Sequence, residues 1–166
     1  MKILVIDDSP VHQEAARKQL IDHTLVVAGS YDEGRDILMG RRDSPARFFD
    51  VVLVDLLMPP SNRQQSVHRE HQDMPVGIFL ALLGAKKGAK YVAVFTDSDH
   101  HSHPASACFD DFNPDGEHHP LSFDVEGAKM ILTNNRRWIW GGEKHWDKLL
   151  DYLLKEEQVS DGDGVV

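Results

Sequence analysis

The chain has 166 residues, a length that favours one domain with a sizeable core. Hydrophobic residues make up 41% and charged residues 27%, as in ordinary globular proteins, and the net charge of −9 argues against nucleic acid or a membrane surface as a partner. Cys108 is the single cysteine, which fits a reducing compartment, and no stretch is long enough to span a membrane. A strand pattern begins at the first residues without room for a signal peptide, so we expect a cytoplasmic protein.

Short runs rich in Val, Ile, Leu and Phe recur along the chain, with helical patterns between them. Their apolar residues are nearly continuous, which is typical of strands that are covered on both faces. The predicted strands are residues 2–6, 24–28, 49–54, 90–95 and 129–133. Strands that alternate with helices predict a doubly wound α/β fold with a five-stranded parallel sheet. Trp138 and Trp140, which follow the fifth strand, are predicted to cover the edge of this sheet as part of the core, or else to mark a partner surface.

The intervening helices carry start signals. Pro10 suits the first position of a helix, and Ser30 and Glu33 form a capping box. Pro75 and Pro104 are predicted to open a third helix and a short fourth one. The last helix is the clearest, because its apolar residues recur at helical spacing. These residues are Trp146, Leu149, Leu150, Leu153 and Leu154.

Domain boundaries follow from composition. We expect one domain over residues 1–157 and a flexible, polar tail over residues 158–166. The connections at 59–74, 97–103 and 113–124 are long or polar for a compact domain, so we expect them to be functional or disordered loops.

Three carboxylates follow predicted strands, at the edge where ligands bind in open α/β sheets. Asp7 and Asp8 come directly after the first strand, and Asp55 follows the third. The fourth strand ends at Thr96. Carboxylates that meet at one edge repel one another, so we expect a divalent ion there, and Mg²⁺ suits the site because it also binds phosphoryl oxygens. A simpler interpretation is that an Asp or Ser9 only caps the next helix.

These motifs resemble those of response-regulator receiver domains, over residues 1 to about 96. The resemblance implies a flavodoxin-like fold and a stand-alone signalling module rather than an enzyme, with Mg²⁺ held by Asp7, Asp8 and Asp55. In this family pattern Asp55 accepts a phosphoryl group from a histidine kinase or a phosphotransfer protein, and Thr96 supplies a switch hydroxyl. The output is binding to a further protein, which the resemblance does not identify. The matching segments are Lys2-Ile3-Leu4-Val5-Ile6-Asp7-Asp8-Ser9, Asp50-Val51-Val52-Leu53-Val54-Asp55-Leu56-Leu57-Met58-Pro59 and Val94-Phe95-Thr96.

The sequence departs from the receiver pattern after the fourth strand. The family has a lysine at the end of its fifth strand, and Asn134 occupies that position here. Lys129 lies at the opposite end of this strand, and Arg136 and Arg137 are nearby cations that can substitute. Because an amide contacts phosphate without charge, we expect phosphorylation to couple only weakly to conformational change. Asp97 stands where the family usually has a small residue, and it either joins the cation site or repels phosphate.

Two other functions stay open. The first is a pseudo-receiver, a binding scaffold without phosphoryl chemistry, which the absence of the family's lysine favours. The second is a metal-dependent phosphoester hydrolase that uses the acidic cluster and the histidines of the long loops. Imidazole and carboxylate together suit a transition ion, but the spacing matches no zinc motif, and solvated loop residues are the simpler interpretation. The loop histidines are His68, His71, His100, His101, His103, His118 and His119.

Overall fold

A computed structural model describes residues 1–41, 48–61, 73–98, 101–108, 120–134 and 136–155. Its elements in chain order are β1 (Lys2–Ile6), α1 (Pro10–Gln19), β2 (Thr24–Ala28), α2 (Tyr31–Met39), β3 (Val51–Val54), α3 (Gly77–Lys86), β4 (Tyr91–Phe95), α4 (Pro104–Ala107), β5 (Leu121–Val125), β6 (Ala128–Thr133), a 3-10 turn (Arg136–Trp138), β7 (Ile139–Trp140), β8 (Glu143–Lys144) and α5 (Trp146–Lys155). The predicted tail at 158–166 lies outside the described residues.

The central sheet has six strands in the order β2-β1-β3-β4-β6-β5. β5 runs antiparallel to β6, and the other neighbouring pairs are parallel. The five parallel strands have the flavodoxin-like order, in which ligands bind where the direction of strand progression reverses, beside β1 and β3. The predicted doubly wound, flavodoxin-like α/β fold is therefore confirmed, with one strand more than expected among the described residues.

The additional strand β5 lies in a segment that we predicted to be a loop. Apolar and polar residues alternate along it, which is the pattern of an edge strand with only one covered face. Glu126 and Gly127 both have positive φ, 53° and 78°, as the two central residues of a tight hairpin turn require. This turn reverses the chain directly into β6, so Leu121–Val125 pairs with β6 instead of forming a loop.

The helices cover the two faces of the sheet. On one face, α1 and α5 pack with Ala16, Leu20 and Leu149 against the side chains of Ile3 and Leu53. On the other face, α2 and α3 pack against the alternate residues of the same strands. Because β1, β3 and β4 are buried almost throughout, the strand ends that follow them are held rigidly between the two layers.

The helix starts agree in part with the sequence signals. Pro10 occupies the first turn of α1, and the backbone N–H of Glu33 donates to the Ser30 hydroxyl at 3.2 Å, as the capping box predicts. Neither Asp8 nor Ser9 caps α1 through its side chain, so the capping interpretation of the first acidic pair is wrong. Among the described residues, no helix combines the length and the apolar character that crossing a membrane requires.

The two tryptophans after β6 have different environments. Trp138 packs against Phe95 and Tyr152, with ring centroids 6.3 Å and 5.4 Å away, as expected for a residue that covers the sheet. Trp140 is 48% exposed, so the expectation that it joins the core is wrong. Trp140 lies in a two-residue strand of a small hairpin, where it stacks on His145 rather than on the sheet.

Gly77 begins α3 in direct contact with the segment that carries Asp55. A Cβ at this position would collide with the carbonyl oxygen of Asp55, and the Gly77 N–H donates to the carbonyl of Leu56 at 3.0 Å. The absence of a side chain therefore lets α3 approach the end of β3, which fixes the backbone beneath the acidic edge.

We expect Gly77→Ala to lower the free energy of unfolding by about 3 kcal/mol, because backbone atoms on both sides must move to admit the methyl group. Urea unfolding followed by tryptophan fluorescence measures this change. Lys86→Ala, on the exposed side of the same helix, is the control and should change stability by less than about 0.5 kcal/mol. Equal effects of the two substitutions would contradict the close approach.

Candidate functional site

Asp7, Asp8 and Asp55 meet at the carboxyl edge of the sheet. β1 ends directly before Asp7 and Asp8, and β3 ends directly before Asp55. One carboxylate oxygen from each residue lies within 4.8 Å of the others, which is close enough for the three to share a cation. Asp7 is buried, Asp55 is 6% exposed, and Asp8 is half-buried. The sequence prediction that these residues face one another is borne out by this geometry.

A buried lysine completes the cluster. The Lys144 ammonium donates to Asp7 Oδ2 at 2.8 Å and to Asp55 Oδ1 at 2.6 Å, and its side chain is fully buried. The ammonium also lies 5.7 Å from the ring centroid of Phe95 and 5.4 Å from that of Trp146. Lys144 therefore joins the ends of β1 and β3 by charge-assisted hydrogen bonds, beside two aromatic rings.

This lysine corrects the expectation that the site lacks a cation. Asn134 follows β6 and is half-buried, but the ammonium at the acidic cluster comes from the β7–β8 hairpin, further along the chain. Lys129 lies near the start of β6, away from this edge, and Arg136 and Arg137 are exposed on the 3-10 turn. The prediction that phosphorylation couples only weakly to conformational change rested on Asn134 and therefore loses its basis.

Burial and like charge make the carboxylates hard to ionise together. Burial raises the pKa of Asp55 to about 7. The positive charge of Lys144 lowers this pKa, and the negative charge of Asp7 raises it. Burial and the charges of Asp7 and Asp73 also raise the pKa of Asp8. The pKa of Lys144 is raised, because the attraction of Asp55 and Asp7 outweighs the effect of burial. The lysine is therefore charged, while Asp55, with a pKa of about 7, needs further positive charge to ionise fully at neutral pH.

The cluster opens into a polar cavity of about 390 Å³. Asp97 lies at this cavity and is held by His12, whose Nε2 is 3.3 Å from Asp97 Oδ2. This hydrogen bond keeps the pKa of Asp97 below its ordinary value, so Asp97 adds a negative charge to the cavity wall. The other residues that line the cavity are Asp7, Asp8, Ser9, His12, Asp55, Leu57, Asp73, Ser98 and Ser102.

Thr96 is fully buried at the end of β4, on the same edge of the sheet. Its hydroxyl accepts a hydrogen bond from the backbone N–H of Ser98 at 3.1 Å, and its own N–H donates to the carbonyl of Thr133. The hydroxyl thus belongs to a local turn, and the adjacent Asp97 and Ser98 face the cavity. A role of Thr96 as a switch stays a prediction.

The loop histidines contribute no ligand to the acidic cluster within the part of the chain that the structure describes. His103 caps α4, because its Nδ1 accepts from the N–H of Ala105 at 3.1 Å. His101 is exposed. The remaining loop histidines, His68, His71, His100, His118 and His119, lie outside the described residues, as do Phe109 and Phe112 of the predicted fourth helix.

Lys144 and His12 were not predicted as site residues, although the sequence carries signals for both. Gly141 and Gly142 have φ of 65° and 78° and form a tight turn between two short strands, so the sequence Trp-Gly-Gly-Glu is a hairpin signal. That hairpin lies between β6 and α5, the interval in which receiver domains have their lysine. His12 lies in the first turn of the helix that follows Asp8, and therefore on the same edge of the sheet.

No protein-family model matches the sequence, and no curated protein matches it. Among solved structures, the chain is similar to a two-component response regulator from Legionella pneumophila, with 12% sequence identity and a TM-score of 0.48. The match covers 93% of this chain and 98% of that chain. At this level of similarity the strand order itself, rather than the likeness, assigns the fold.

We expect Lys144→Met to lower the free energy of unfolding at pH 7.5 by about 3–5 kcal/mol, because it leaves two buried carboxylates without a counter-charge. The loss should be smaller at pH 5.5. Without the ammonium the folded-state pKa of Asp55 rises further above its unfolded value, so the variant loses stability as the pH rises. Urea unfolding at the two pH values measures both effects.

Lys148→Met is the matched control, since the Lys148 side chain is 48% exposed in the neighbouring helix and should contribute less than about 1 kcal/mol. A deficit of Lys144→Met that is independent of pH would contradict the proposed charge balance.

Proposed function

We propose that this protein is a receiver-type signalling module that accepts a phosphoryl group on Asp55. The observation that carries this proposal is the contact of one buried ammonium with two carboxylates, Asp7 and Asp55, beside a third carboxylate at the mouth of a polar cavity. The sequence resemblance to receiver domains adds support, since its matching residues are the same carboxylates. The donor would be a histidine kinase or a phosphotransfer protein, and the output would be binding of another protein.

The residues at the edge fit a divalent cation in number, chemistry and charge. Three carboxylates and one ammonium carry a net charge of −2 when all are ionised, which one Mg²⁺ neutralises. Lys144 bonds Asp7 Oδ2 and Asp55 Oδ1, so the second oxygen of Asp55 and the half-buried Asp8 offer ligand atoms toward the cavity. Mg²⁺ binds through a few carboxylates and keeps waters that phosphoryl oxygens can replace. When bound, it supplies charge neutralisation for phosphoryl oxygens.

The chain's own groups account for the remaining requirements of phosphoryl transfer. A carboxylate oxygen of Asp55 attacks phosphorus, the new P–O bond forms, and the bond from phosphorus to the donor nitrogen breaks, with its electron pair left on that nitrogen. Lys144 is fixed beside this oxygen and can donate to the transferred group, which develops negative charge. The Thr96 hydroxyl and the half-buried Asn134 are, in this proposal, groups that respond to the new phosphate.

The presence of Lys144 weakens the pseudo-receiver alternative, which rested on a missing lysine. The hydrolase alternative has no support from the described histidines, since His103 caps α4 and His12 is engaged with Asp97. The receiver function therefore fits the described residues best.

The direct test is to incubate the protein with Mg²⁺ and acetyl phosphate and to measure its intact mass. We expect the mass of one added phosphoryl group in the wild type and in Asp22→Asn, a substitution of an exposed residue. We expect no addition in Asp55→Asn, which lacks the nucleophile. An unchanged wild-type mass across several small donors would contradict the proposal and favour the pseudo-receiver.

Mg²⁺ affinity should depend on pH. Because the pKa of Asp55 without a divalent ion is about 7, protons compete with Mg²⁺ for this carboxylate below neutral pH. We expect the affinity to increase about tenfold between about pH 6 and about pH 8 and to level off above that range. Calorimetric titration at constant ionic strength measures the trend, and Asp55→Asn should bind Mg²⁺ weakly with little dependence on pH. An affinity that falls as the pH rises would refute this assignment.

A further inference from the structure

The position of the Lys144 ammonium is not set by the hairpin that carries it. The pairing of β7 with β8 consists of two residue pairs, Ile139 with Lys144 and Trp140 with Glu143. A hairpin of this size is not stable by itself in water, and a lysine side chain has a flexible four-carbon stem. Another part of the molecule must therefore hold the backbone of Lys144 at the acidic edge.

Gln19, at the end of α1, binds the chain on both sides of His145. Its side-chain Nε2 donates to the carbonyl of Lys144 at 3.2 Å, and its Oε1 accepts from the N–H of Trp146 at 2.7 Å. One amide thereby satisfies an acceptor at the end of the hairpin and one of the free N–H groups at the start of α5. Both ends of the segment that carries the lysine are thus tied to α1.

His12, on the first turn of α1, holds the same segment from the other side. Its Nδ1 lies 3.4 Å from the backbone nitrogen of Lys144, and its carbonyl accepts from Trp146 Nε1 at 3.0 Å. A backbone N–H can only donate, so Nδ1 is the acceptor, and the ring proton belongs on Nε2, which faces Asp97 Oδ2 at 3.3 Å. The chain of contacts runs from Asp97 at the cavity through His12 to the backbone of Lys144.

We propose that His12 and Gln19 are positioning residues, which place the Lys144 ammonium between Asp7 and Asp55 and thereby set the rate of phosphoryl transfer. The claim about the rate of phosphoryl transfer rests on the receiver function proposed above. The claim about the position of the Lys144 ammonium does not. Gln19 acts through Lys144, since both of its hydrogen bonds go to backbone atoms of the hairpin and of α5, whereas His12 also holds Asp97. Any displacement of α1 relative to the sheet moves the ammonium with respect to the carboxylates.

Substitutions at Gln19 separate positioning from simple packing. Gln19→Leu fills a similar volume but removes both hydrogen bonds. Gln19→Glu keeps an acceptor for the Trp146 N–H but places a second acceptor against the Lys144 carbonyl, so it breaks the hydrogen bond to that carbonyl while preserving the volume of the side chain. Lys18→Met is the control on the same helix, because the Lys18 side chain is 66% exposed and forms its ion pair with Glu14, one turn away on α1.

The first measurement is the exchange of the Lys144 ammonium protons with water, detected by ¹H–¹⁵N NMR without any phosphodonor. A buried ammonium bonded to two carboxylates gives a slowly exchanging signal. We expect this signal in the wild type and in Lys18→Met, and an exchange rate at least about tenfold higher in Gln19→Leu and in Gln19→Glu. Circular dichroism identifies any variant that fails to fold. If Gln19→Leu does not fold, the exchange rate in Gln19→Glu decides. Unchanged exchange in a folded Gln19 variant overturns the proposal.

The second measurement is the rate of Asp55 modification as a function of phosphodonor concentration. We expect the maximal rate of the Gln19 variants to fall about tenfold, because a small misplacement of a charged group is costly in the transition state. Mg²⁺ affinity should not fall, since Gln19 does not touch the carboxylates and a displaced ammonium leaves them more negative. Equal losses of rate and Mg²⁺ affinity would indicate a general structural defect and overturn the positioning role. If the wild type accepts no phosphoryl group, the proposed function fails, and the NMR measurement still decides where Lys144 is held.

Discussion

The ammonium of Lys144 between Asp7 and Asp55 is the interaction on which the rest of the structure depends. Two strands of a parallel sheet end at buried carboxylates, and each buried charge without a partner costs several kcal/mol. A single fully buried cation bonds both, at 2.8 Å and 2.6 Å. The ion pair therefore fixes the distance between the ends of β1 and β3, where the strand order of the sheet reverses.

The same interaction explains why the edge is stable and still carries negative charge. The lysine compensates part of the negative charge, and the raised pKa of Asp55 shows that the compensation is incomplete. Residual negative charge at a site favours a divalent cation. A fixed ammonium favours a group with negatively charged oxygens. Asp97, held by His12, keeps the cavity wall acidic.

The sequence predicts the part of this arrangement that is local. Each strand of the parallel sheet is a short apolar run, and the carboxylates follow those runs directly, so their convergence is a consequence of strand direction alone. β5 was missed because its alternating residues form an edge strand only when the Glu126–Gly127 turn pairs them with β6. The intrinsic strand propensity of an exposed segment is weak, so pairing with a neighbouring strand decides whether the strand forms.

The contribution of Lys144 could not be found in this way. Its contacts are made with residues that are distant in sequence, and the hairpin that carries it interrupts the interval between the last parallel strand and the last helix. The residue at the strand end itself is Asn134, so the strand pattern does not point to Lys144. The hydrogen bonds from α1 that place the hairpin are equally non-local, since Gln19 and Lys144 meet only in the folded chain.

The late position of Lys144 has a consequence for how the chain is made. The strands that bear Asp7 and Asp55 leave the ribosome long before the hairpin does, so the nascent sheet must bring two acidic groups together without their cation. Assembly of this edge then waits for the C-terminal segment, or relies on a metal ion or on protons until that segment arrives. Truncation directly before the hairpin would remove the cation of this edge together with α5, which supplies Trp146, Leu149 and Leu153 to the core on one face of the sheet.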